Sequence, residues 1–354
     1  MRTRPSSAIA ALATLAGDLR ATVAAPRGIG RILAIADSRA LVRCLFLSSG
    51  VRSGWLARIG SQEGGASLEQ LAAAVGVART DRLDAWLTVG CELGELRAVG
   101  DRFSLRGRRA RAIAAGDSML AAHYASVLDY QGGPYADLAR LLGDGPGQGR
   151  GDLERYAGEI AQVSLAAVPF VAPVVRRVLA ELRPARVLDA GCGSAVYSRM
   201  VLDTDAVVRV TGVDLSEEVV GRAEADFVAA GFGDRARLLC ADIEAWCSGT
   251  AERFELIMLH NNIYYFPPVR RTALLRSLAE HIAPGGELLL TTMTRPGSVA
   301  SAHLHLMLIS QTGDAALPTR PGLLENLSEG GLRVTSVVSP VPLEPYVVVR
   351  AVVA

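Results

Sequence analysis

Val187-Leu-Asp-Ala-Gly-Cys-Gly-Ser-Ala195 decides how this chain is read: a strand runs into a Gly-rich turn, and a helix opens directly after it. Gly191 and Gly193 allow a sharp backbone turn and let a ligand approach with no Cβ in the way. At the carboxyl end of a parallel sheet, such a strand-loop-helix unit is where open α/β folds bind ligands. Around it, short apolar segments alternate with helical ones. Strands are predicted at 186–189, 207–213, 236–240, 254–259, 287–292, 332–339 and 346–353. That alternation implies an α/β fold, with a parallel sheet covered by helices and closed by an antiparallel pair at the end.

Two further acids follow in step. Asp214 closes the next strand within Val210-Thr-Gly-Val-Asp-Leu-Ser216, where a carboxylate can accept both hydroxyls of an adenosine ribose; the adjoining Leu215 is assigned to the same ligand. Asp242, in Cys240-Ala-Asp-Ile243, is placed to receive an adenine amino group, with Ile243 against the ring. A dinucleotide fold wants G-x-G-x-x-G, and Val196 occupies the third Gly position, so pyrophosphate binding is disfavoured. Asp189, Asp214 and Asp242, ending three successive strands, suit a ligand that carries a positive sulfonium and no phosphate.

D-x-G-x-G, an acid closing the second strand, an Asp-Ile pair and the later Ala283-Pro-Gly-Gly286 turn together resemble the class I S-adenosylmethionine (SAM)-dependent methyltransferases. The likeness runs from about residue 174 to the C-terminus and implies a Rossmann-like, mostly parallel sheet with an antiparallel C-terminal strand. It also implies that Asp189, Gly191 and Gly193 flank the methionine part of SAM, Asp214 the ribose and Asp242 the adenine. The chain departs from many members at Ala195, where they have a third Gly.

A chain of 354 residues, half of it hydrophobic, is long enough for two domains with real cores. The first half reads helical: segments 38–49, 51–59, 66–77 and 83–93, then a small hairpin over 94–105 with Gly100-Asp101 as its turn. Helix, turn, helix and hairpin in that order resemble the winged-helix dimerisation domain of small-molecule O-methyltransferases, which implies a homodimer. Gly143-Asp-Gly-Pro-Gly-Gln-Gly-Arg-Gly151 is read as a linker, because so many glycines cannot hold a helix. The expected division is a helical domain over 1–145, connecting helices over 146–185 and the SAM-binding domain over 186–354. Segment 153–182 is predicted as a long helical stretch broken near Pro169 and Pro173.

Charge narrows the partners. With 37 basic and 36 acidic residues the net charge is +1, which argues against a general electrostatic hold on nucleic acid. The run Arg106, Arg108, Arg109, Arg111 is read as a solvated helix face. Every basic residue is Arg, which excludes Lys Schiff-base and P-loop chemistry. The five cysteines are scattered without a CxxC pair, so neither a zinc site nor a disulfide framework is suggested and a reducing cytoplasm is expected. Residues 1–25 superficially resemble a signal peptide, but the Ala-rich run is followed by Asp18 and Arg20 and is expected to be a docking helix. No later stretch is read as a membrane span.

The reaction site is sought in Leu259-His-Asn-Asn-Ile-Tyr-Tyr-Phe-Pro267. In the O-methyltransferases that the architecture resembles, a catalytic His sits near the position of Tyr264. Without it, simple His-assisted deprotonation of a hydroxyl is in question, since a neutral phenol is a poor nucleophile. Asn262, Tyr264 and, from the helix before the sheet, Tyr156 are the candidate catalytic residues; His260 and Asn261 are assigned to the cofactor. Aromatic faces can stabilise a sulfonium by cation–π interaction. Tyr265 and Phe266 are read as packing residues, and Tyr197 as a possible substrate contact. His303 and His305, in an insertion over 298–311, fall at i, i+2 on a helix and do not face each other, so no metal site is proposed. Three functions follow: a small-molecule methyltransferase of secondary metabolism; a SAM-consuming cyclase like the azetidine-2-carboxylate synthases, releasing methylthioadenosine; or a winged-helix nucleic-acid-binding or SAM-sensing module.

Overall fold

The computed structural model describes residues 28–74, 76, 78–143 and 156–354; the expected N-terminal docking helix and all of the Gly-rich linker beyond Gly143 lie outside them. Chain contacts divide the molecule between Val127 and Leu128, ahead of the boundary expected at 145. The reason is visible in the segment between. Tyr130 accepts a hydrogen bond from Gln311 Nε2 at 3.3 Å, and the Tyr135 hydroxyl lies 2.9 Å from His303 Nδ1, so residues 128–143 belong with the second unit.

The first unit comprises helices α1 (Gly28–Arg52), α2 (Trp55–Gly60), α3 (Leu68–Ala73), α4 (Thr80–Glu92), α5 (Arg108–Ala114) and α6 (Ser118–Ser126). Strands β1 (Ala66–Ser67), β2 (Leu96–Val99) and β3 (Arg102–Leu105) form an antiparallel sheet in the order β1-β3-β2. The break expected at Gly50 is absent, and α1 runs through it. Glycine serves close packing there: a Cβ would come within 2.8 Å of Leu56 Cγ and 3.1 Å of the Trp86 ring. The helix expected over 66–77 begins two residues later, since Ala66 and Ser67 pair with Phe103 and Arg102 and Ser67 and Gln70 form a reciprocal capping box. Within the basic run, Arg109 approaches the buried Glu95 at 3.8 Å, with Arg43 at 3.3 Å on the same oxygen.

In the second unit, α7 (Gly133–Ala136), α8 (Leu138–Leu141), α9 (Ala157–Ser164) and α10 (Val168–Leu182) precede the sheet. Segment Gly158–Leu182 is long and apolar enough to cross a membrane, which the sequence reading did not anticipate. It is interrupted by a 3-10 turn at Leu165–Ala167, and Val171, Val175, Val178 and Leu179 of α10 are buried in a core cluster. Pro169 stands at the start of α10, where its missing N–H costs nothing; Pro173, expected as a break, stays inside the helix and removes one bond near its beginning.

Strand and helix then alternate: β4 (Arg186–Ala190), α11 (Val196–Thr204), β5 (Arg209–Asp214), α12 (Glu217–Ala229), β6 (Ala236–Cys240), α13 (Ile243–Ser248), β7 (Phe254–His260), α14 (Pro268–Glu280), β8 (Ile282–Met293), α15 (Val299–Ile309), α16 (Arg320–Glu329), β9 (Leu332–Val338) and β10 (Tyr346–Val353). The sheet order is β6-β5-β4-β7-β8-β10-β9, with β10 antiparallel to both neighbours and the other pairings parallel. Strand β7 is buried on both faces, with Leu256 and Met258 in one core cluster and Ile257 and Leu259 in the other, which explains its unbroken apolar run. From β4 the chain goes to β5 and β6 on one side, then returns to β7 and β8 on the other. The carboxyl ends of β4 and β7 therefore flank the switch point where such sheets open a ligand crevice.

Candidate cofactor and reaction site

The loop after β4 is fixed by backbone. The N–H groups of Gly191 and Cys192 donate to the Val213 carbonyl at 2.8 and 3.1 Å, and Gly191 and Gly193 take φ of 72° and 50°. Ala195, at the departure from the family pattern, also sits in the left-handed region at φ 54° and is fully buried. Asp214 holds the loop from β5: its Oδ2 accepts the Gly193 N–H at 2.9 Å and its Oδ1 the Ser216 N–H at 3.1 Å. The carboxylate thus stands against the Gly-rich turn.

The other two acids differ. Asp189 is buried, at 1% exposure, and accepts the Ser198 hydroxyl at 2.6 Å. Burial raises its pKa to about 6, with the Ser198 bond opposing and the Asp214 charge adding to the rise. Its visible role is to anchor α11 behind the loop. Asp242 is exposed and caps α13, accepting the N–H groups of Glu244 and Ala245 at 2.9 and 3.0 Å. Ile243 is buried in the core, whereas Leu215, 55% exposed, offers the open apolar face at this edge.

Beyond β7 the side chains are neutral. Asn262 confronts the Gly-rich loop: a Cβ on Gly191 would lie 1.9 Å from Asn262 Nδ2, so glycine is required there for space as well as for φ. Asn261 adopts φ 51°, its N–H donates to the Thr291 carbonyl at 2.8 Å, and its Oδ1 accepts the Tyr346 hydroxyl at 2.6 Å. His260 pairs in register with Thr291, which places its Nδ1 2.9 Å from Thr291 Oγ1. The imidazole is 7% exposed, its ring centre lies 3.9 Å from that of Tyr197, and its Nε2 is buried without a partner among the described residues. Burial pushes its pKa down to about 3, so it is neutral at physiological pH.

Tyr264 is buried beside Leu308, Ala315 and Leu317, with its ring 4.7 Å from that of Tyr265. Burial drives both phenols well above their ordinary pKa. Tyr265, read from sequence as packing, lies within electrostatic range of Tyr130 and Asp214. Tyr156 places its ring 5.3 Å from that of Tyr130. The two histidines of α15 are both engaged: His303 with Tyr135, and His305, whose Nδ1 accepts the Leu317 N–H at 3.3 Å. Sequence reasoning missed Tyr130, Thr291, Gln311 and Tyr346. No local motif marks them, because only strand register and chain return bring them to this edge.

Residues 187–286 match the family model described as a methyltransferase domain. Among curated proteins, the chain is 29% identical to trans-aconitate 2-methyltransferase of Streptomyces avermitilis over 124 residues, covering 35% of this chain and 44% of that protein. It is 34% identical over 125 residues to malonyl-[acyl-carrier protein] O-methyltransferase of Pseudescherichia vulneris, covering 35% and 45%. The matched part thus spans less than half the length of these relatives. Among solved structures, the fold superposes on mitomycin 7-O-methyltransferase with a TM-score of 0.75 at 17% identity, covering 93% of this chain and 99% of that one. Human N-acetylserotonin methyltransferase in complex with SAM gives 0.71 at 15% identity, covering 93% and 98%. An O-methyltransferase family protein from Burkholderia thailandensis gives 0.71 at 19%, covering 92% and 98%. Residues 187–286 thus match a methyltransferase domain, and the chain has the fold of these O-methyltransferase structures.

Proposed function

We propose that the protein is a SAM-dependent methyltransferase of secondary metabolism, acting on a small molecule that reaches the site already nucleophilic. One observation carries this reading. Neither residue at the place of a general base accepts a proton at neutral pH: Tyr264 is a buried phenol with a raised pKa, and His260 is a buried imidazole lowered to about 3. An amine, an acidic carbon or an activated oxygen needs no such base. Bound SAM supplies an electrophilic methyl on a sulfonium. Asp214 and Asp242 hold the adenosine, with Leu215 beside the ring; Gly191, Gly193, His260 and Asn261 hold the methionine part, while Asp189 and Ile243, expected from sequence to touch the ligand, are buried and support the loops from within. Asn262, Tyr264 and Tyr156 orient the acceptor, and the tyrosine faces stabilise the cation before transfer. The test is turnover of SAM with a panel of amines and acidic carbons. Methylated product, reduced about tenfold in Tyr264→Phe, supports the reading; unchanged turnover in that variant removes the hydroxyl from the mechanism.

The first unit is assigned to dimerisation as a winged-helix domain in a cytoplasmic homodimer. Ile29, Leu33 and Leu41 are each close to 60% exposed along α1, an apolar surface suited to a second copy. Light scattering that returned a monomer would refute that assignment. Nucleic acid and membrane are not assigned as partners. The same uncharged site also favours a second reading, an intramolecular cyclisation of SAM. Incubation with SAM alone separates the two: methylthioadenosine with a cyclised amino acid establishes the cyclase, and intact SAM the methyltransferase.

A further inference from the structure

We infer that Tyr346, on the antiparallel strand far from every motif, is a positioning residue that fixes the loop after β7 through its hydroxyl. The inference rests on the reading that Asn261 and Asn262 line the SAM site.

A proton count sets the direction of the network. Tyr346 has one hydroxyl proton and two neighbours, Asn261 Oδ1 at 2.6 Å and Thr291 Oγ1 at 3.3 Å. The shorter contact takes the proton, since an amide oxygen can only accept. Thr291 Oγ1, the second partner of the Tyr346 hydroxyl, lies in turn 2.9 Å from His260 Nδ1. The contacts run from His260 through Thr291 and Tyr346 to Asn261, and a connected network of this kind fixes the orientation of its members together. His260 Nε2, at its far end, is buried without a hydrogen-bond partner among the described residues.

The terminus of this chain matters because Asn261 is strained. It holds φ 51°, in the left-handed region, which an Asn tolerates when its side chain is bonded locally. Asn262 follows directly and presses its amide against Gly191. Tyr346 is itself rigid, 4% exposed within the core cluster that also holds Tyr197 and Met258. A buried phenol on a strand between two others thus sets, through Asn261, the distance between the two loops that face each other across the crevice.

The experiment is calorimetric titration of SAM into the full chain and into Tyr346→Phe, Asn261→Ala and the double variant, with melting temperatures recorded in parallel. Thr294→Val is the control, because it removes a hydrogen bond of similar length from the same β8–β10 junction, Thr294 Oγ1 to the Pro345 carbonyl at 2.9 Å, without touching the loop. Tyr346→Phe should weaken SAM about tenfold, Asn261→Ala by as much or more, and the double variant no more than Asn261→Ala alone. Thr294→Val should bind within about twofold of the parent even if it melts earlier. Additive losses, or a loss in Thr294→Val equal to that in Tyr346→Phe, would overturn the positioning role in favour of general destabilisation. Unchanged affinity in Tyr346→Phe with a loss in Asn261→Ala would overturn it while leaving the site reading standing. Unchanged affinity in Asn261→Ala would overturn the site reading and this inference with it. Should Tyr346→Phe fail to fold, Thr291→Val cuts the same chain one bond earlier and takes its place in the cycle.

Discussion

The two halves of the crevice are built on opposite plans. On the side of β4, β5 and β6, carboxylates accept backbone N–H groups: Asp214 from Gly193 and Ser216, Asp242 from Glu244 and Ala245. On the side of β7, β8 and β10, neutral groups bond one another: His260, Thr291, Tyr346 and Asn261. The first half presents fixed negative charge, suited to hydroxyls, an amine and a cation. The second presents dipoles and aromatic faces, which orient a ligand without taking its proton. The lesson is that the acidic half is made locally, each acid bonding within its own loop or the next, whereas the neutral half is made at long range.

Four substitutions put that contrast to the test. The largest effect is expected where the halves meet. Gly191→Ala places a methyl 1.9 Å from Asn262 Nδ2 at φ 72°, and should cost SAM at least a hundredfold in affinity by titration. Affinity within tenfold of the parent would show that the two loops do not confront each other as described.

The buried acid and the buried imidazole should then pull stability in opposite directions with pH. Asp189 has a folded pKa raised to about 6, so its protonated form favours folding and that contribution is lost as pH rises from its ordinary carboxylate value through 6. Asp189→Asn should therefore be more stable than the parent at pH 8, by up to about 3 kcal/mol, with the advantage gone near pH 4. Chemical denaturation at the two pH values measures it, and an advantage that grew toward acid would refute the assignment. His260 behaves oppositely. Its folded pKa is depressed to about 3, so it contributes stability above about pH 6.5 that is lost as pH falls toward 3. His260→Gln should escape about 2–3 kcal/mol of the destabilisation that the parent suffers between pH 7 and 4.5. Equal acid sensitivity in the two proteins would mean that His260 is not held neutral.

The smallest effect is expected at Ala195. Replacement by Gly relieves a left-handed alanine but adds backbone freedom and removes a buried methyl, so stability should move by less than about 1 kcal/mol. SAM affinity should stay within about twofold.

The same contrast explains what the sequence disclosed. Six of the seven strands of the large sheet are legible as short apolar runs bounded by turns, whereas β8 begins at Ile282, so that the turn expected at Ala283–Gly286 lies inside it as an irregularity in its pairing with β7; the three acids are legible because each closes such a run. Their roles are less so. Asp189 and Ile243 occupy the expected positions but point into the protein, since whether a residue at a strand end faces the crevice depends on the loop's path and not on the pattern. The division between units is displaced toward the N-terminus because Tyr130 and Tyr135 bond to residues about 170 positions later, a length scale invisible to periodicity. Tyr346 and Thr291 were unreadable for the same reason. The glycine at position 50 reads as a break and is a contact, because sequence cannot tell a residue chosen for freedom from one chosen for size.

If the β4–β5 edge holds SAM, it does so through Asp214. Titration of SAM into the parent and into Asp214→Ala tests it most directly, with circular dichroism confirming that both are folded. A measurable affinity is expected in the parent and none in the variant. Equal binding in the two, or no binding in the parent, would contradict it.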